Sequence, residues 1–197
     1  MSDAVSMLRD ASAAIEASGG LALGDLDGVV AAVVSGLPRS TWWVPGLRER
    51  AGGVLRGASA ERLASGAALP PYRVGAAIGP SGSRALYALG LAIAGQPALV
   101  HLGAAALADG GVFEALNLAA LRDAPLVLVV TTRDLSDAPV PRQAAISEEH
   151  LAAGLGVAFV DARGPALAEA VADAVATARP TVVLTSPFPL SSASASA

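Results

Sequence analysis

Cysteine is absent from the 197 residues, and so is lysine: all 13 basic side chains are arginine. The first absence removes disulfides, thiolate nucleophiles and sulfur-ligated metals. The second removes the P-loop, whose lysine reaches the nucleotide phosphates. Only His101 and His150 carry an imidazole, too few for a multi-histidine metal site in one chain. Aromatic residues make up 4 % of the chain, which leaves little for a base-stacking platform. The net charge is −4 and no basic run occurs, so nucleic acid is not the expected partner. There is no G-x-G-x-x-G fingerprint and no G-x-S-x-G elbow. Neither a dinucleotide site nor a serine hydrolase therefore has support.

Apolar residues are in excess, at 53 % with the 46 alanines included, beside 21 glycines and only 15 % charge. Such a chain either enters a membrane or hides surface against a partner. The longest uncharged run, residues 85–108, is long enough on paper to cross a bilayer. Gln96-Pro97 cuts it in the middle and His101 follows, so it reads as a helix, a turn and a buried strand. The N-terminus, MSDAVSMLRDASAAIEA, is acidic and amphipathic rather than basic and then apolar. A cytoplasmic location is expected from that pattern. The length suits one domain that buries roughly 70 % of its unfolded surface.

Two halves differ in pattern. Residues 3–69 read as helices over 3–18, 25–36, 45–57 and 58–66, with Asp25 and Ser59 as N-caps and Pro45 in a first turn. Trp42-Trp43 reads as a core or interface anchor. From Ser81 onward helices and strands alternate. Helices are expected at 83–95, 111–124, 147–156 and 164–179, and strands at 98–103, 125–132, 157–161 and 180–186. The strands are short, continuous and apolar, as strands buried on both faces are. This alternation predicts a three-layer α/β/α fold with a mostly parallel sheet. Ligands then bind at the carboxyl ends of the strands, in the loops 103–111, 131–149 and 161–164. The serine- and alanine-rich tail, 188–197, is expected to be disordered.

Within that half, the segment ALVHLGAAALADGGVFEALNLAALRDAPLVLVVTTR resembles the diphosphate-binding module of thiamine-diphosphate enzymes. It is most similar to the alpha subunits of 2-oxo acid dehydrogenases, then to transketolases and 1-deoxyxylulose-5-phosphate synthases. The matching positions are Gly103, Gly110, Phe113-Glu114-Ala115, Asn117, Ala119-Ala120 and Pro125. The resemblance covers residues 74–187 as the α/β core, with 1–73 as a helical segment packed on it. It implies cofactor-binding positions at Gly103, Ala104, Ala105, Asp109, Gly110, Thr132 and Arg133, and a supporting role for Glu114.

The chain departs from the family where the chemistry lies. Ala104-Ala105 stand where the family has Asp-Gly, and Thr132-Arg133 where it has its Asn pair. In the family, that Asp and Asn hold the Mg²⁺ that clamps the cofactor diphosphate. Mg²⁺ needs hard oxygen ligands in near-octahedral geometry, and alanine offers none. Asp109 is a carboxylate five residues later, at a helix start, where it reads as an N-cap before a metal ligand. Arg133 reads as a solvated loop arginine and His101 as a strand histidine.

The expected function is a degenerate alpha-like subunit of a two-component thiamine-diphosphate-type enzyme. It would scaffold or regulate a pyrimidine-module (beta-like) subunit in a heterotetramer, or failing that form a homodimer, and bind no cofactor alone. Two alternatives stand beside it. One is an active half, with thiamine diphosphate and Mg²⁺ held by Asp109 and Thr132; the other is a Rossmann-like small-ligand binding protein.

Overall fold

Short runs of valine and leucine become strands here because each is paired in the sheet on at least one side and lies between helical layers. The computed structural model describes residues 2–132 and 145–188. Its strands are β1 (Trp42–Val44), β2 (Ala98–Gly103), β3 (Leu126–Thr131), β4 (Ala158–Asp161) and β5 (Thr181–Thr185), all parallel. Their order in the sheet is β1-β2-β3-β5-β4. The helices are α1 (Ser2–Ala17), α2 (Asp27–Gly36), α3 (Ala60–Ala64), α4 (Ser81–Ile93), α5 (Gly110–Leu121), α6 (Glu148–Gly154) and α7 (Leu167–Ala176).

Alternation along the strands sorts the core into two layers. Leu99, Val127, Val129 and Val183 pack toward α1, α2, α3 and α7, around Trp43. Val100, Leu102, Leu128, Val130 and Val182 pack toward α4, α5 and α6. The sheet is therefore covered on both faces, and the three-layer α/β/α reading is borne out. The uncharged run 85–108 is divided between α4 and β2 as its Gln96-Pro97 break predicts. Among the described residues no helix is long and apolar enough to cross a membrane.

Trp43 is fully buried, the core anchor expected; one strand is added there and three local expectations are corrected. Trp42–Val44 forms the edge strand β1, in register with Ala98, Leu99 and Val100. A three-residue strand is too short to show a period of its own, and only pairing with β2 defines it. Residues 45–57 are not an α-helix: a 3-10 segment, Glu49–Arg56, begins after the Leu47-Arg48 turn and ends at Gly57 with φ +96°. Asp25 sits inside a 3-10 turn, Gly24–Leu26, rather than capping α2, whose N-cap is Leu26. Strand β4 is not buried on both faces, because it closes the sheet edge and Ala158, Val160 and Asp161 are exposed. Ser59 does cap α3, accepting the Arg62 amide. Of the tail expected to be disordered, 188–197, Phe188 instead packs against the core beside Gly28, and residues 189–197 lie outside the described residues.

Candidate functional site

The carboxyl ends of β2, β3 and β5 lie side by side, with Gly103 opposite Thr131 and Thr131 opposite Thr185. Beyond Gly103 the chain makes a 3-10 turn, Ala104–Ala108, and enters α5 through Asp109. The structure thus gathers Gly103, Ala104, Ala105, Asp109 and Gly110 into one loop at this edge, with Thr132 following β3. Gly103, Ala105, Asp109 and Gly110 are exposed, Ala104 and Thr132 half-buried. Arg133 lies outside the described residues.

Asp109 joins two helices. Its Oδ1 accepts the Gly111 amide at 2.9 Å, which caps α5. Its Oδ2 accepts the Gly82 amide at 2.9 Å, in the first turn of α4, whose own N-cap position, Pro80, has no capping side chain. One carboxylate thus satisfies an orphan donor at each of two helix N-termini and stabilises both dipoles. The approach is close enough to demand glycine on both sides. A Cβ on Gly82 would strike the Asp109 carboxylate, and one on Gly111 would lie 2.9 Å from Gly82 Cα.

Thr132 is also engaged. Its amide and its hydroxyl both donate to the Thr185 carbonyl, at 2.8 and 2.9 Å. Glu114 is exposed on α5. Among the described residues no group of three His, Asp or Glu side chains converges as metal ligands would.

His101, on β2, is fully buried, and its Nε2 meets Thr131 Oγ1 at 2.9 Å. Its Nδ1 has no partner among the described residues, so the strand histidine is only half satisfied there. Burial holds the imidazole below its ordinary pKa; the Glu49 carboxylate opposes this and the Arg84 guanidinium reinforces it. Arg84, at the start of α4, is buried as well. It donates from Nη1 to the Ile78 carbonyl at 2.7 Å, while its Nε has no partner among the described residues. Burial lowers its pKa and Glu49 partly restores it. Gly46 separates the two side chains: a Cβ there would meet Glu49 Oε2 and lie 2.8 Å from Arg84 Nη1. Sequence reasoning passed over this Glu49–Arg84–His101 group. Its one available signal was Arg84, the single charge on the otherwise uncharged helix SGSRALYALGLAIAG.

A three-layer parallel α/β fold, with a glycine-flanked loop at the carboxyl edge leading into a helix, defines the class, and comparison with solved structures makes it specific. Transketolase from Campylobacter jejuni matches with a TM-score of 0.67 at 18 % identity, over 93 % of this chain and 37 % of that one. The 2-oxoglutarate:ferredoxin oxidoreductase of Magnetococcus marinus matches with 0.58 at 16 %, over 81 % and 28 %. A Mycobacterium smegmatis protein described as thiamin diphosphate-dependent matches with 0.54 at 18 %, over 82 % and 31 %. The chain has the thiamine-diphosphate-binding fold. It spans about a third of the length of these proteins. No protein-family model matches it, and no curated protein matches it in sequence.

Proposed function

We propose that this chain is a degenerate alpha-like subunit of a two-component thiamine-diphosphate-type enzyme, which scaffolds a pyrimidine-module partner and holds no Mg²⁺ itself. One observation carries the reading: the carboxylate nearest the lost ligand position, Asp109, accepts an amide on each oxygen and ties α4 to α5. Ala104 and Ala105 offer no side-chain donor, and the Thr132 hydroxyl is turned to the Thr185 carbonyl. Mg²⁺ requires several hard oxygens in near-octahedral array, and these residues do not fit that requirement. No chemical step is therefore assigned to the cofactor here, and the electron sink such chemistry needs is the cofactor's own.

The partner rests on a second feature. Leu86 and Ile93 on α4, and Phe113 and Leu121 on α5, are large apolar side chains left exposed, Leu121 by 72 %. Helices apolar on a second face favour cover by another chain. A heterotetramer with a pyrimidine-module subunit fits this exposed apolar surface; a homodimer is the lesser assembly.

Calorimetric titration of the purified chain with thiamine diphosphate, with and without Mg²⁺, tests the reading. No metal-dependent binding is expected. Metal-dependent micromolar binding that disappears in Asp109→Ala would overturn it in favour of an active half with a repaired metal site.

A further inference from the structure

Apart from the loop 103–111 and Thr132 lies a cavity of about 570 Å³ between α2, the start of α7 and the 3-10 segment Glu49–Arg56. Its volume falls within the range of small-molecule sites, about 300–1,000 Å³. Its wall is apolar, with Ala31, Ala32, Leu37, Leu55, Ala168 and Phe188 among the lining residues. Arg39 and Arg56 also line it, and among the described residues no acidic side chain does. None of the residues 103–111, nor Thr132, borders it, so the site is independent of the reading above.

The two arginines adjoin. Arg56 is buried and donates only to neutral carbonyls: Nε to Tyr72 at 2.8 Å, and Nη2 to Thr41 at 2.9 Å and to Arg39 at 3.1 Å. Its Nη1 takes part in none of these bonds. Arg39 is exposed and reaches only the Leu55 carbonyl, at a long 3.4 Å. Carbonyls satisfy the guanidinium's hydrogens without neutralising its charge, and buried charges are ordinarily paired. Here two like charges meet at an apolar hollow with no counter-charge among the described residues that line it.

We propose that this cavity binds an amphipathic monocarboxylate of the fatty-acid class, with the acyl chain along α2 and the carboxylate on Arg39 and Arg56. The guanidinium fork suits a carboxylate's two oxygens. The electrostatic strain at Arg56 has the matching sign: burial first, then Arg39 and Arg73, lower its pKa to about 10. It stays charged at neutral pH, and a bound anion relieves that strain.

The test is calorimetry of the full chain at neutral pH with dodecanoate, kept below its micellar concentration, and with dodecanol as the neutral analogue. Saturable micromolar binding of dodecanoate is expected, about tenfold or more weaker for dodecanol and for Arg39→Gln, the loss of one charge-assisted contact. Arg56 is left intact, since its three carbonyl bonds hold the fold together. Ala32→Leu fills the hollow from α2 and should abolish binding without lowering the melting temperature. Absence of saturable binding, equal affinity for dodecanol, or unchanged binding in Ala32→Leu would each refute the proposal. The last result would place the ligand on the exposed α4–α5 surface instead.

Discussion

Removing the Asp109 carboxylate should loosen two helices at once. Each oxygen accepts one amide at 2.9 Å, Gly111 of α5 and Gly82 of α4. An N-cap bond contributes about 1 kcal/mol, and a carboxylate beside a helix N-terminus adds about 0.3–1 kcal/mol at an exposed site. Asp109 is exposed, so the lower part of that range applies. Asp109→Ala should then cost about 2–3 kcal/mol. For a domain of this size that is roughly 5–10 °C in melting temperature. Asp109→Ser keeps a hydroxyl for the α5 cap and loses the reach to Gly82, so it should cost about 1 kcal/mol, the α4 share. Asp109→Asn should fall between the two, because its amide nitrogen would face one of the N–H donors. Urea denaturation followed by circular dichroism orders the series. The bridging role fails if Asp109→Ala lies within about 0.5 kcal/mol of the wild type, or if Ser and Ala cost the same.

Three further outcomes follow from the geometry. The folded state holds His101 neutral, with its pKa below the unfolded value of about 6.5. Stability should thus be level above pH 6.5 and fall below it by up to about 1.4 kcal/mol per pH unit as the unfolded chain takes the proton. Urea midpoints between pH 7.5 and 5.5 should show this slope in the wild type and not in His101→Leu. Gly111→Ala would set a Cβ 2.9 Å from the Gly82 backbone; despite the better helix propensity of alanine it should destabilise by about 1–3 kcal/mol. A thermal melt showing it more stable than the wild type would contradict the close α4–α5 approach. Leu86→Glu with Leu121→Glu should leave the fold's stability within about 0.5 kcal/mol, since both side chains are exposed. The same pair should abolish assembly in multi-angle light scattering, and an unchanged mass for an assembled wild type would remove these helices from the interface.

Much of the architecture could be read along the chain. The runs ALVHLG, LVLVVT and TVVLT are apolar without alternation, because both faces of each are covered. The helices α4, α5 and α7 announce themselves by length and small-residue content between glycine and proline breaks. Alanine at 104 and 105, where the resembled family has Asp-Gly, was legible as well, since it is read from the sequence whatever the fold does.

What lay beyond the sequence depended on partners distant in the chain. Trp42–Val44 is a strand only because β2, more than fifty residues later, offers it a register. Strand β4 is exposed because β5 inserts between it and β3, an ordering no local pattern encodes. Asp109 as a cap of α5 follows from its neighbours, but its second bond spans 27 residues to Gly82. The half-satisfied His101 likewise depends on Thr131 across the sheet. Local chemistry thus determined most of the helices and strands. Tertiary packing decided where the remaining polar groups found their partners, because a buried hydrogen bond is chosen by proximity in space and not along the chain.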